Sequence, residues 1–279
     1  MIAHPTEDQR RQYNDQGFLV VEGFLSPAEL ETWRQAVDHA VQQRGAQRFS
    51  FVSEESEAIA SATKSTEEQA YYEKIFTQRV NLWQTDARMK ELLFDRTFTN
   101  FTGQLANVEG LRIWHDQALI KPPFGNFTAY HLDVPYWSFR SSDAITIWLA
   151  LDDATLANGC LYYVPGSHKA KKYDNVGIGR DLGALFDVYT DWSSIPAVAC
   201  PVPAGGALFH NGLTFHGAGA NMTPVSRRAM TCAYMPDGCT FNGQQNVLPP
   251  AYFDSLEVGD LLDNEDQNPL VYSRVPVGA

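Results

Sequence analysis

The sequence predicts a mainly β fold, an antiparallel barrel or jelly roll with helices packed outside it. Helix-like segments come first and short strand-like runs follow, the order expected of a sheet domain carrying a helical layer. From about Leu111 the runs LRIWHDQALI, TAYHLDVPYW, AITIWLALD, CLYYVP, VACPVP, GALFHNG and RRAMTCAYM succeed one another, rich in β-branched and aromatic residues. The turn signals KPPFGN, LANG, PGSH and PAGG separate them.

Taken in chain order, residues 6–16 are polar, and GFLVVEGFL (17–25) reads as a short strand bent at Gly23. Ser26 is placed to N-cap a helix, with Pro27 at its first position and Glu29 closing a capping box. Leu30, Trp33, Val37 and Val41 continue it at helical spacing. Residues 52–70, rich in Ser, Glu, Ala and Thr, read as a loop with some helix. Residues 71–98 read as a helical pair around YYEKIFTQRVNLW and DARMKELLFD. No repeat, low-complexity tract or linker divides the chain. Residues 1–279 therefore read as a single domain: a helical part over about 1–105, a jelly-roll core over about 106–240 and a C-terminal extension over 241–279.

Composition narrows the function. Apolar residues make up 44% of the chain, enough for a sizeable core. A net charge of −12 disfavours nucleic acid and anionic membrane surfaces, both of which need a positive footprint. No apolar run reaches the length of a membrane span, and the polar start MIAHPTEDQRRQYNDQG lacks the apolar stretch of a signal peptide. The ending SRVPVGA carries no retention or peroxisomal address. Cys160, Cys200, Cys232 and Cys239 form no CxxC pair and read as buried free thiols of a reducing compartment, so a cytoplasmic location is expected.

The stretch YHLDVPYW carries chemistry. On a strand, His131 and Asp133 project from one face, and an imidazole beside a carboxylate in apolar surroundings needs a partner. They could satisfy each other or the backbone, or they could hold a metal. Of the other histidines, His4 lies near the chain end, His39 on a mixed helix face and His168 in a loop, which leaves His115, His210 and His216. His210 and His216 bracket Asn211-Gly212, a hairpin-turn signal. Two histidines and one carboxylate make the facial set that holds non-haem Fe(II). Beyond His216 the strand RRAMTCAYM sends Arg227 and Arg228 to opposite faces. Alternation alone does not choose between them; an interior that must admit a cosubstrate favours the small face of Ala229, Thr231 and Ala233, which makes Arg227 the arginine expected inside the barrel, where its fork suits a carboxylate.

The strings GFLVVEGFLSPAEL, LIKPP, YHLD, SSDAITIWLALDDATLANGCLYYVPGSHK and FHGAGANMTPVSRRAM resemble the phytanoyl-CoA dioxygenase family of Fe(II)/2-oxoglutarate oxygenases, over most of residues 17–235. The resemblance implies a double-stranded β-helix, a cupin-like jelly roll. It implies Fe(II) held by His131, Asp133 and His216, with Arg227 gripping the far carboxylate of 2-oxoglutarate, Trp148 lining its pocket and Gln117 adding a contact. His210 becomes a hydrogen-bonded non-ligand. The implied reaction consumes 2-oxoglutarate and O2, releases succinate and CO2, and hydroxylates a substrate. Two positions depart from the family pattern: Leu132 replaces a polar residue and Ala218 a serine. Asp133 is kept, so hydroxylation is expected rather than halogenation.

Tyr136, Trp137 and Phe139 read as a substrate wall, with Trp192 at a mouth and Lys121 or Arg140 as an acid contact. Residues 45–75 and 170–195 read as the loops that shape the pocket. The expected partner is a small, largely apolar organic metabolite, with no nucleic acid and no membrane, in a monomer or homodimer. The alternatives are the same iron site driving desaturation, cyclisation or epimerisation, and a non-catalytic metal-binding jelly roll.

Overall fold

The computed structural model describes residues 1–51, 71, 74–174 and 176–274. Four longer helices start on side-chain caps: α1 (Glu7–Gln16), α2 (Pro27–Arg44), α3 (Ala87–Leu93) and α4 (Arg96–Ala106). Thr6 with Gln9, and Ser26 with Glu29, form reciprocal capping boxes, and Asp86 and Asp95 accept from the first backbone N–H groups of α3 and α4.

Eleven strands among the described residues form two antiparallel sheets. In the larger sheet the order is β1 (Phe18–Val21), β8 (Ala207–Asn211), β5 (Ile145–Ala150), β10 (Arg227–Pro236), β3 (Gly110–Lys121) and β11 (Leu270–Ser273), with β2 (Thr77–Val80) also on β3. In the smaller sheet β4 (Thr128–His131), β9 (His216–Ala218), β6 (Leu161–Tyr163) and β7 (Val198–Cys200) lie in that order. This is the expected jelly roll. Period-two alternation sorts its faces: Ile145, Ile147 and Leu149 pack with Trp33, Val37, Phe98 and Phe101 of the helical layer. Trp148 and Ala150 instead face Leu161, Tyr163 and Ala218 of the smaller sheet. Burying each such large side chain stabilises by about 1.5–3 kcal/mol.

Register arranges the inner face in rows. His115, Ala233, Thr146 and His210 lie side by side across β3, β10, β5 and β8. Gln117, Thr231, Trp148 and Leu208 form the next row, and Lys121 pairs with Arg227 at the far end of the β3–β10 ladder.

The structure corrects several expectations. Of YYEKIFTQRVNLW, Tyr71 is helical and Tyr72 and Glu73 lie outside the described residues, but the helix does not continue: Thr77–Val80 is strand β2 on the edge of β3, followed by a single 3-10 turn, Leu82–Gln84. Asn81 sits in the left-handed region (φ 53°), and Asp116 accepts from the N–H groups of Leu82 and Trp83, so the chain is captured by tertiary partners. Helix α3 does form over DARMKELLFD, whereas 52–70 lie outside the described residues. Helix α1 was read only as polar sequence; it buries Tyr13 alone and so has no apolar stripe to detect. The strand read over TAYHLDVPYW ends at His131, and Asp133 opens a 3-10 turn. Asn211-Gly212 makes no hairpin, because β8 and β9 belong to different sheets and the turn carries the chain between them. Strands β1 and β11 come from outside 106–240 yet belong to the larger sheet. Cys160, Cys200 and Cys232 are buried free thiols, but Cys239 is only half-buried.

Candidate metal centre

His131 ends β4, Asp133 follows in the turn, and His216 opens β9 beside them, with His131 and His216 directly paired across the two strands. The turn is held by Gly212, whose carbonyl accepts from the N–H groups of Asp133 and Val134, both at 3.0 Å. A side chain at Gly212 would stand 2.6 Å from Val134 Cγ2, so the close approach requires glycine. One ligand atom from each of His131, Asp133 and His216 lies within 4.8 Å of the others, a group able to hold a metal ion. Asp133 Oδ1 stands 3.8 Å from His131 Nε2 and 3.7 Å from His216 Nε2.

The hydrogen bonds decide what each imidazole offers. His131 Nδ1 is 2.9 Å from the Ala129 carbonyl and His216 Nδ1 is 2.9 Å from the Thr214 carbonyl. A carbonyl only accepts, so both Nδ1 atoms carry hydrogen and both Nε2 lone pairs face Asp133. Burial pushes each of these histidines down to about 4; repulsion from His216 adds to it at His131, and repulsion from His210 adds to it at His216. Neutral imidazoles are the form that ligates. Burial alone would raise Asp133, but His216 and the His210 hydrogen bond outweigh it and hold the carboxylate well below its ordinary range. Imidazole and carboxylate donors on one face fit a divalent metal of the Fe(II) type.

The cavity over this group is about 710 Å³. Arg227 is buried on its wall, with its guanidinium 4.9 Å over the Trp148 ring, while Arg228 points outward to Asp152 and Asp38. Arg227 Nη2 donates to the Gly159 carbonyl at 3.0 Å, and its Nε is buried with no partner. Lys121, 1% exposed, donates from Nζ to the carbonyls of Asn126 (2.6 Å) and Ile75 (3.2 Å). Burial, with Arg227 nearby, pushes Lys121 down to about 7. No carboxylate among the described residues comes within ion-pair reach of Lys121 or Arg227. The far end of the cavity therefore fits an anion, as a dicarboxylate cosubstrate requires.

Gln117, Tyr136 and Trp137 line the cavity; Phe139 does not. It is wholly buried behind Trp137 and Trp114, at ring separations of 5.4 and 5.2 Å, and cannot touch a ligand there. Trp192 packs on Phe215 and Arg140 over Tyr173, both away from the cavity wall. Leu132 is buried in the apolar cluster with Val134 and Phe215, so its loss of polarity does not reach the site, whereas Ala218 does line it. Of the expected loops, Arg48, Tyr71 and residues 177–180 reach the cavity. His115 lines the same wall beside Gln117 but stands outside the ligand group. The sequence reading missed Thr146 and Tyr163. Thr146 was detectable, since alternation along AITIW puts it on the face of Trp148; nothing in the sequence marks Tyr163.

The family model for phytanoyl-CoA dioxygenase (PhyH) matches residues 13–229. The peroxisomal phytanoyl-CoA dioxygenase of Homo sapiens is 28% identical over 257 residues, covering 87% of this chain and 73% of its own. The probable alpha-ketoglutarate-dependent hypophosphite dioxygenase of Stutzerimonas stutzeri is 25% identical over 231 residues, covering 81% and 77%. Among solved structures, the non-heme alpha ketoglutarate dependent carbocyclase SnoK from nogalamycin biosynthesis is similar with a TM-score of 0.77 and 27% identity, covering 96% of this chain and 97% of that one.

Proposed function

Because the chain belongs to the phytanoyl-CoA dioxygenase family and is a non-haem Fe(II)- and 2-oxoglutarate-dependent dioxygenase, we propose that His131, Asp133 and His216 hold its iron and that Arg227 grips its cosubstrate. The observation that carries this reading is the shared cavity of the His-Asp-His group and a buried guanidinium with a spare N–H. Bound iron and 2-oxoglutarate supply the oxidant, with O2 reduced as 2-oxoglutarate is converted to succinate and CO2.

The chain's own residues do the rest. His131 and His216 would offer the metal their Nε2 lone pairs and Asp133 would offer Oδ1. Arg227 aims its unspent donors at the distal carboxylate of 2-oxoglutarate, with Trp148 stacked beneath the guanidinium and Gln117 on the adjoining strand position. Tyr136 and Trp137 give the substrate side an apolar wall and keep water from the reacting centre. The substrate we propose is a small, largely apolar organic metabolite, hydroxylated at carbon. Residues 1–279 act as one oxygenase domain, a monomer or homodimer without nucleic-acid or membrane partners. Its free thiols favour the cytoplasm; no helix among the described residues is long and apolar enough to cross a membrane.

A panel of hydrophobic acids and cyclic natural products, assayed for succinate release, tests the substrate class. Turnover confined to highly polar amino acids would overturn it. The similarity to SnoK favours a second outcome at the same centre, ring closure or a related oxidation without hydroxylation. Product mass separates the two: hydroxylation adds one oxygen atom, whereas cyclisation or desaturation removes two hydrogens.

A further inference from the structure

We propose that His210 is a positioning residue of the metal centre, locked by Tyr163 so that, with Thr146, it ties down Asp133 Oδ2 and leaves Oδ1 alone for the metal. This rests on Asp133 being a ligand, as in the function proposed above. A carboxylate has two equivalent oxygens and can take one metal position or two. If Asp133 took two, one of the positions needed by cosubstrate and oxygen would close.

The structure differentiates the two oxygens. Oδ1 faces the two ligand histidines, while Oδ2 faces the larger sheet. His210 Nε2 lies 3.1 Å from Oδ2 and Thr146 Oγ1 lies 3.0 Å from it. Both donors come from one row, since Thr146 and His210 are register partners on β5 and β8. Two strands of the opposite sheet thus converge on a single oxygen.

The tautomer of His210 follows from its second contact. Its Nδ1 lies 3.0 Å from the hydroxyl of Tyr163, a fully buried residue. That phenol has no other hydrogen-bond partner among the described residues, so its hydrogen goes to Nδ1. Nδ1 accepts, Nε2 carries the hydrogen, and His210 donates to Asp133. The Tyr163 ring is fixed in turn by Phe18 of β1, stacked on it at 4.5 Å and 10°. His210 packs against His216 at a tilt of 39°, with ring centroids 4.4 Å apart, close to the 4.2 Å between His131 and His216. Three neighbouring imidazoles are therefore held in two tautomers. His131 and His216 point lone pairs at the metal position, and His210 points a hydrogen at its carboxylate.

The test is anaerobic titration of the apo protein with Co(II), reading affinity and the visible ligand-field spectrum. The chains compared are the wild type, Asp133→Ala, His210→Leu, His210→Gln, Tyr163→Phe and Thr146→Val. Removal of such an outer hydrogen bond weakens metal binding by about 10- to 100-fold, and His210→Leu is expected in that range with an altered spectrum. His210→Gln keeps an N–H donor and is expected to recover the wild-type spectrum and most of the affinity. Tyr163→Phe frees the tautomer, and Thr146→Val removes one of the two donors at nearly constant shape, so each is expected to weaken binding less than His210→Leu. A folded His210→Leu protein with wild-type affinity and spectrum overturns the proposal, as does a glutamine variant no better than the leucine one. Should His210→Leu not fold, the decision passes to Thr146→Val and His210→Gln, where wild-type behaviour of the first with no binding by the second overturns it. Asp133→Ala separates the levels: unchanged Co(II) affinity there removes the ligand assignment itself, and this inference with it.

Discussion

The two ends of the cavity are built on opposite plans. At the metal end both Nδ1 atoms of the proposed ligands and Asp133 Oδ2 already have protein partners, and what remains unspent is two nitrogen lone pairs and one carboxylate oxygen. At the far end two buried cations share no carboxylate among the described residues, where Arg227 keeps an orphaned Nε and Lys121 donates to backbone carbonyls. The metal end is finished except for a cation; the far end is unfinished except by an anion. An unpaired buried charge costs several kcal/mol, so the far end stores an unfavourable term that an incoming carboxylate relieves.

The largest effect expected from breaking this contrast is at Asp133. Asp133→Ala removes the only carboxylate of the ligand group, and 2-oxoglutarate consumption, followed as succinate release, is expected to fall to background. The visible charge-transfer band of the anaerobic Fe(II)·2-oxoglutarate complex should vanish with it. Arg227→Ala comes next and acts on the other end alone. Loss of one partner of a buried charged pair costs about 2–5 kcal/mol, or roughly 30- to 5,000-fold in KM for 2-oxoglutarate. Metal affinity measured without cosubstrate should stay within about threefold of wild type. Loss of metal binding in Arg227→Ala would show that the two ends are not separate.

The same contrast explains what the sequence could reveal. Each proposed ligand lies in a recognisable short string, and Arg227 is separable from Arg228 once alternation with the small Ala229, Thr231 and Ala233 is joined to the need of the interior to admit a cosubstrate. The structure agrees: Arg227 is buried and Arg228 reaches Asp152. The support of the site is nonlocal. Tyr163, His210 and Asp133 come from three strands or turns far apart in the chain, and Phe18 from a fourth, so no spacing announces them. Asp133 was expected beside His131 on a strand; the real agent is a turn docked on Gly212, which alternation does not foresee. Phe139 was misplaced for a related reason, since an aromatic run does not show which rings reach the cavity and which stand behind it. The helix expected near residue 80 failed because β3 offered an open edge, and edge pairing overrides local preference.

Gly159 sharpens the contrast at a smaller scale. Its carbonyl anchors Arg227, its φ is +90°, and a Cβ there would stand 2.5 Å from the Gly219 carbonyl oxygen and 2.8 Å from Lys121 Cδ. Gly159→Ala is expected to cost about 1–3 kcal/mol of stability, seen as a Tm lower by roughly 2–8 °C. It should also raise KM for 2-oxoglutarate while leaving metal affinity in place.

The smallest expected effect is a pH dependence belonging to the far end. Lys121 is pushed down to about 7 in the folded chain by burial and by Arg227, while its ordinary value is 10.5. Between those values the unfolded chain holds a proton on this amine that the folded chain has released, so stability rises with pH through the window. Below about 7 both states are protonated and the full cost of the buried ammonium is felt. The thiols run the other way, because burial raises Cys200 to about 12 from 9.0, so their stabilisation is lost only as the unfolded thiols ionise. Over pH 7 to 8 Lys121 should add a rise of up to about 1 kcal/mol, set against the opposite change from Asp116, which burial pushes up to about 7. Urea unfolding of the apo protein at the two pH values measures it, and Lys121→Met should remove the rise. Saturating 2-oxoglutarate should reduce it as well, because a carboxylate beside Lys121 and Arg227 restores the ammonium's pKa. Equal slopes in wild type and Lys121→Met would mean that the far end carries one cation, Arg227, and that Lys121 serves only to pin the segments at Ile75 and Asn126.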